Sequence, residues 1–393
     1  MTSKKAREEA AIQNRILPGI QSFAWNPDRS LVAVCPYSRE ILIFATNQKP
    51  DIKDWRLVEV LKEHYSNVNS LEWHPVTNQL LSSSTDRGII VWNPTPEGRM
   101  LPNLCAVKEL KANLFASWNG RGDKFCVGGS SGHVFIGTYN EALNFWVALS
   151  QTEEPPLGKP LHKASVTTVR FDPGSGRAVA SSSADGTVVV SSAYKEEIDN
   201  DGVGPFAGVT AEAGEIIFKL KTNVWNNTLA FSPSGATLAF ASHDCEMHFT
   251  DFTADQVASK TKPAVKRTVY NGNPILTGLF ISENTYIGCG FDNAPLLFKR
   301  QEDGSWTFEG SIDPGFGKKK ASRIGSDAFG GRTVFFDNVN LDQNTMMMPK
   351  QTLHQNYIND CQAYVKDGNG NVQVLTTCDP NGSINYWNVA EHI

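Results

Sequence analysis

Residues 61–92 read LKEHYSNVNSLEWHPVTNQLLSSSTDRGIIVW. An apolar/polar alternation through Val68, Leu71 and Trp73 stops at His74-Pro75, and a second runs through Leu80 and Ser84 to the turn Asp86-Arg87-Gly88. A third run, Ile89-Ile90-Val91, ends on Trp92. Alternation over about four to eight residues, bounded by turn formers, reads as short strands, so the stretch predicts three antiparallel strands joined by tight turns. Its polar residues have matching chemistry. Asp86 in the turn can accept from His64, the other ring nitrogen of His64 can reach Ser84, and Ser84 can take the Trp92 indole N–H. Such a network is favourable only when every member is satisfied, and the spacing predicts a tetrad of His64, Ser84, Asp86 and Trp92.

A unit of this size cannot bury its faces alone, so further copies are expected. In its four polar positions the stretch resembles the WD repeat, whose four-stranded blades close into propellers. The chain has 393 residues; seven blades of about 42 residues would use about 294 and leave roughly 99 for tails and insertions. The expected fold is therefore all-β: a seven-bladed WD-repeat β-propeller. Aligning a turn residue with a residue six positions later pairs Ser38 with Phe44, Asp86 with Trp92, Ser130 with Ile136 and Asp185 with Ser191. The same spacing pairs Asp244 with Thr250, Asp292 with Phe298 and Asn381 with Trp387. Only the second blade is expected to keep the whole tetrad, and the seventh copy, near Tyr364, is the weakest. Strands ending in Trp25, Trp73, Trp118, Phe171, Phe231 and Phe280, followed by turn residues, support the register. The segment Gln13 to Leu17 is the natural strand donor for ring closure, pairing at Ser383 to Trp387 or beside it and removing both open edges. Residues 1–11 read as a tail and 12–393 as the propeller.

The formal net charge of −5 and a charged fraction of 20% give no global reason to expect nucleic-acid binding. No apolar run approaches the length of a membrane span, and the N-terminus lacks the apolar core of a signal peptide. Seven scattered cysteines without a Cys-x-x-Cys pair read as buried thiols of a reduced intracellular protein.

Catalytic patterns are thin. His243, Cys245 and His248 are possible zinc ligands, but strand alternation points His248 away from the other two and no fourth ligand is evident. GFGKKK at 315–320 fails the phosphate-loop spacing, since Ile312 and Lys319 stand where glycine and a hydroxyl residue are needed. The sequence has no Gly-x-Ser-x-Gly elbow. No enzyme, cofactor or metal is expected. Trp55, Trp146 and Trp306 read as outer-strand packing in preference to interface anchors.

The final repeat step is too long for one blade by about 40 residues, which places an insertion at 311–350, between blades 6 and 7. Long loops in compact domains are usually functional or disordered. Lys318, Lys319, Lys320 and Arg323 form a short basic cluster, and Ile324, Ala328 and Phe329 would share one apolar face if the segment is helical. These seven residues are the expected partner-binding site, and a basic run before an apolar face suits an acidic protein surface.

Several longer strings narrow the family. LKEH (61–64) with WHP (73–75), NFWV (144–147), SAYKEEID (192–199), FSPSG (231–235) with SHD (242–244), FISEN (280–284) with PLLF (295–298), and TLHQN (352–356) resemble, in order and spacing, subunit 1 of the actin-related protein 2/3 complex. The resemblance runs from about Ile16 to Val389. It implies a non-catalytic scaffold subunit supporting nucleation of branched actin filaments, cytoplasmic and associated with the actin cytoskeleton, without nucleic-acid or membrane partners. The implied partners are the other subunits of the complex, the actin filament and the acidic tails of nucleation-promoting activators, reached through the insertion. In the insertion the chain departs from the family: Phe329 is followed by Gly-Gly-Arg-Thr where the family carries Phe-Arg-Asn-Met-Asp. The alternative is a general WD-repeat adaptor binding a peptide or protein over the propeller face. A propeller enzyme is a third reading, which an ionisable cluster in the channel or a bound metal would favour.

Overall fold

The computed structural model describes residues 15–105, 107, 109, 111–150, 159–317 and 352–393. Strands follow one another as antiparallel neighbours in seven sheets. Blade 1 is Ser22–Trp25, Leu31–Cys35, Ile41–Ala45 and Arg56–Leu61. Blade 2 is Val68–Trp73, Leu80–Ser84, Ile89–Pro94 and Met100–Leu104. Blade 3 is Asn113–Trp118, Lys124–Gly129, Val134–Asn140 and Phe145–Ser150. Blade 4 is Val166–Phe171, Ala178–Ser183, Thr187–Ser192 and Ile216–Lys221. Blade 5 is Asn226–Phe231, Thr237–Ser242, Glu246–Asp251 and Val265–Val269. Blade 6 is Ile275–Ser282, Thr285–Gly290, Leu296–Arg300 and Trp306–Ser311. Blade 7 has three strands among the described residues, Asp360–Lys366, Val372–Cys378 and Ile384–Asn388.

A lone antiparallel bridge joins Arg15 to Ser383, and Ile16 N–H donates to the Gly382 carbonyl at 2.9 Å. The chain thus meets blade 7 from its other end at the expected place, while Gln13 lies outside the described residues. Alternation explains the ring, because each blade offers an apolar face to both neighbours. Seven apolar clusters result among the described residues, one for every adjacent pair, the last setting Phe23, Trp25 and Val34 of blade 1 against Cys378 and Ile384 of blade 7. Phe125, Phe240, Phe249 and Phe298 are wholly buried in them, and each such side chain contributes about 1.5–3 kcal/mol.

Directional bonds tie the innermost strands at both ends. On one side the strand-ending indoles reach back one blade, from Trp73 to the Ala24 carbonyl at 2.9 Å and from Trp118 to the Glu72 carbonyl at 3.3 Å. Trp25 closes the ring by the same move, onto the Thr376 hydroxyl at 2.9 Å. At the start of these strands side-chain amides reach forward one blade, from Asn69 to Asn113 O, Asn227 to Ile275 O and Asn359 to Ile20 O, at 2.7 to 2.8 Å.

Trp146 and Trp306 are buried, packed on Trp118 and Phe249 respectively, and Trp55 meets Trp25 edge-on. None of the seven cysteines is in a disulfide, and all but the half-buried Cys245 are buried. Among the described residues no helix is long and apolar enough to cross a membrane.

Candidate functional site

One mouth of the propeller carries the turns between second and third strands together with the approaches to the innermost strands. In blade 2, His64 Nδ1 lies 3.2 Å from the Asp86 carboxylate and Nε2 lies 2.8 Å from the hydroxyl of Ser82, which also takes the Trp92 indole at 2.9 Å. The network corrects the sequence reading: Ser82, not Ser84, is its centre. The two serines share strand parity, but Trp92 pairs across the sheet with Leu80, and Ser84 sits at the turn, two residues beyond Ser82. Ser84 instead bonds the Ser66 carbonyl and the Asp86 N–H. Burial opposes the charge on Asp86, but the donors His64, Tyr65 N–H and Gly88 N–H outweigh it and hold the carboxyl well below its usual range.

Blade 7 corrects the sequence reading again. His354 bonds Asp379 at 2.8 Å and Thr377 at 2.7 Å, and Thr377 accepts the Trp387 indole at 2.7 Å. The tetrad is complete there, with threonine for serine and with Asp379 in place of Asn381 as the turn residue. The turn has the same length as in blade 2: Asn381 holds the register position of Asp86, and the aspartate stands two residues earlier, at the position of Ser84. Blade 4 keeps the imidazole bonded to Ser181 and Thr187 beside Asp185, without the tryptophan. In blade 3 the register slips by one from the expected Ser130: Ser131 is the turn residue, and it donates to Glu109 at 2.6 Å. Gly137 stands at the tryptophan position because the Phe125 ring fills that space, 2.1 Å from where a Cβ would lie.

An aspartate, a histidine and a hydroxyl in line have the order of a hydrolytic triad. Ser82 is fully buried beneath Trp92, and its oxygen is occupied by both the imidazole and the indole. No substrate reaches it, so the arrangement is a structural lock.

The insertion leaves from the same mouth. After Ser311 the chain turns at 313–316, and Phe316 packs on the core between blades 5 and 6. Asp313, almost fully buried, accepts Gly315 N–H at 2.7 Å through one oxygen and Leu353 N–H at 2.7 Å through the other. One side chain therefore joins the departing and returning strands of a segment of about 40 residues. Lys318, Lys319, Lys320, Arg323, Ile324, Ala328 and Phe329 lie outside the described residues.

Three features escaped sequence reasoning. A row of rings crosses this mouth over blades 5 to 7, with Trp225 stacked on His243 at 4.4 Å, His243 6.4 Å from Phe291, and Phe291 5.1 Å from Tyr357. Trp225 is 47% exposed. His243, Phe291 and Tyr37 occupy the same turn position in three blades, a signal visible only once the register is known. The second feature is a buried ion pair. Lys124 Nζ contacts both Asp199 oxygens at 2.6 and 2.8 Å and the carbonyls of Gly176 and Ala193. Burial lowers the Lys124 ammonium pKa against the pull of Asp199. Asp199 ends the SAYKEEID string, which is thereby pinned to blade 3. The third is in the channel, where burial pushes the Asp360 carboxyl up to about 6 although Ser22 and Phe23 N–H donate to it.

The WD domain, G-beta repeat profile matches residues 55–93 and 157–190, which include most of blade 2 and most of blade 4. Over 384 residues, 96% of each chain, the protein is 28% identical to Actin-related protein 2/3 complex subunit 1B of Arabidopsis thaliana. It is 27% identical over 379 residues to subunit 1A-B of Xenopus laevis, covering 95% of this chain and 94% of the other. Subunit 1 of Saccharomyces cerevisiae matches at 21% identity over 98% of both chains.

Proposed function

We propose that this chain, a homologue of the actin-related protein 2/3 complex subunit 1 proteins along nearly its whole length, is a scaffold subunit of an actin-branching assembly. The observation that carries the proposal is the end-to-end match, which covers 96% and 95% of this chain in the two relatives instead of the repeats alone. Rigid discs present loops for binding. The seven inter-blade clusters and the two sets of side-chain bonds between blades supply that rigidity, and chemistry is not required of such a subunit. We place it in the cytoplasm, assembled with the other subunits, and assign to it support for nucleation of branched filaments. The 311–350 insertion would meet the actin filament or the acidic tail of an activator through Lys318, Lys319, Lys320 and Arg323 and the Ile324, Ala328 and Phe329 face. Asp313, which fixes both ends of that segment, would transmit the contact to the disc.

A second reading, a general adaptor whose partner lies over the propeller mouth, is favoured by the ring row from Trp225 to Tyr357. Purification of the tagged chain from its own cells separates the two. Stoichiometric recovery of two actin-related proteins supports the scaffold subunit. Recovery of other partners without them overturns it in favour of the adaptor.

A further inference from the structure

The rings that cross the mouth belong to no core. Trp225 lies on the approach to blade 5, His243 and Phe291 in the turns between second and third strands of blades 5 and 6, and Tyr357 on the approach to blade 7. Tyr37 continues the line in the corresponding turn of blade 1, where the Asn359 amide reaches its hydroxyl at 3.3 Å. The five hold related positions in four consecutive blades, 5, 6, 7 and 1. None is among the side chains of the seven apolar clusters, and Trp225, Tyr37 and Phe291 are 47%, 42% and 38% exposed. Large rings presented to water without a packing role are what an interface uses as anchors.

The row is held from below. His243 N–H donates to the Trp225 carbonyl at 3.0 Å and Phe291 N–H to the Pro274 carbonyl at 3.2 Å, and His243 Nδ1 lies 3.3 Å from the Asn227 amide oxygen. Contact groups that are already ordered lose less on binding. Two features then select the ligand. Trp25, Trp73 and Trp118 direct their indole N–H groups to neighbouring blades, whereas that of Trp225 meets no protein acceptor among the described residues and is left to donate to a ligand carbonyl. A helical ligand keeps its carbonyls for its own backbone, and strand addition needs an open backbone edge, where this row offers side chains. A polyproline II segment leaves every carbonyl free and rises about 3.1 Å per residue, so about two residues cover each step of 4.4 to 6.4 Å along the row. The second feature is charge. Asp244 is exposed beside His243, takes the Ser242 hydroxyl, and pairs with no lysine or arginine among the described residues. A carboxylate at the flank of an aromatic row complements a cation at the flank of an apolar segment.

We propose that the row from Trp225 to Tyr37 docks a proline-rich segment in the polyproline II conformation, with an arginine or lysine of that segment set on Asp244. The prolines lie on the rings and the Trp225 indole donates to one of the exposed carbonyls, the mode by which aromatic-lined surfaces take such segments. The inference stands apart from the choice between scaffold subunit and adaptor, since both present this mouth.

The full-length chain, labelled with ¹⁵N at its indoles, is titrated with a decaproline peptide ending in two arginines. Of the nine indole signals, the one lost in Trp225→Phe identifies Trp225. The expected result is a saturable shift of that signal, with affinity at least about tenfold weaker in Phe291→Ala and in Asp244→Lys, as loss of an anchor implies. Affinity should be unchanged in Val76→Ala, at an exposed turn between the first and second strands of blade 2, on the opposite face. A glycine-serine peptide of the same length and with the same arginines should leave the signal in place. Absence of a saturable shift in the unsubstituted chain overturns the proposal regardless of how the variants fold. So does an equal shift with the glycine-serine peptide, tighter binding of a decaproline ending in two glutamates, or undiminished affinity in either variant with its other indole signals in place.

Discussion

Lys124 Nζ and Asp199 meet at 2.6 Å with both side chains at 0% exposure, joining the second strand of blade 3 to the loop between the third and fourth strands of blade 4. A charge pair without water around it is weak evidence for net stability, but removal of one member strands the other. Lys124→Met therefore should destabilise by about 3 kcal/mol, moderated by Arg121, which also bonds Asp199 at 2.6 Å. The Lys124→Met, Asp199→Asn double variant should recover part of that loss. Urea unfolding of the three proteins reads the coupling directly, and strict additivity would mean that the two groups do not depend on each other.

The tetrad correction is testable by serine substitution. Ser82→Ala removes the shared partner of His64 and Trp92 and leaves both buried, so a loss of about 1–3 kcal/mol is expected. Ser84→Ala breaks only local turn bonds and should cost less than about 1 kcal/mol. Asp86→Ala should fall with Ser82→Ala at about 1–3 kcal/mol. The Asp86 effect has a defined pH dependence. Its carboxyl is held low in the fold, so the stabilisation is present above the ordinary carboxylate value near 3.8 and is lost as the pH falls through the folded value. Chemical denaturation at pH 7 and at acid pH checks both the ranking and the sign.

Asp360 has the opposite sign. Its carboxyl titrates near 6 in the fold against an ordinary 3.8, so between those values the folded chain holds the extra proton and stability falls as the pH rises. Above about 6 the cost is complete. Asp360→Asn keeps an oxygen for Ser22 and Phe23 N–H, and should raise the melting temperature at pH 7.5 while giving no gain at pH 4. Equal effects at the two pH values would show that the charge is immaterial.

These cases mark what a sequence displays and what it conceals. Alternation and turn residues are local, so the blades and their number were readable from Leu61 to Trp92 outward. Ser82 and Ser84 have the same parity and the same chemistry, and only the cross-strand pairing of Trp92 with Leu80 decides between them. A fixed six-residue spacing missed Asp379 because the aspartate there stands at the position of Ser84, two residues before the position of Asp86, in a turn of unchanged length. It also slipped in blade 3, where Gly137 carries no side chain to mark the position. Lys124 looks like any surface lysine until the fold brings Asp199 to it across the chain.

The insertion offers the sharpest separation of stability from function. Asp313 bonds backbone on both sides of it, so its two ends are joined through one buried carboxylate. Phe329→Ala, on the partner-binding face expected from the sequence, should leave unfolding free energy within about 0.5 kcal/mol, as an exposed change does, while reducing filament binding or branching by the assembled complex. Asp313→Ala should do the reverse in part: it leaves Gly315 and Leu353 N–H groups without their acceptor and should cost about 1–3 kcal/mol, with activity falling because the segment is no longer anchored. Denaturation of the isolated chain and a branching assay of the complex distinguish the two variants. A large stability loss in Phe329→Ala would mean that its ring packs on the propeller and does not meet a partner.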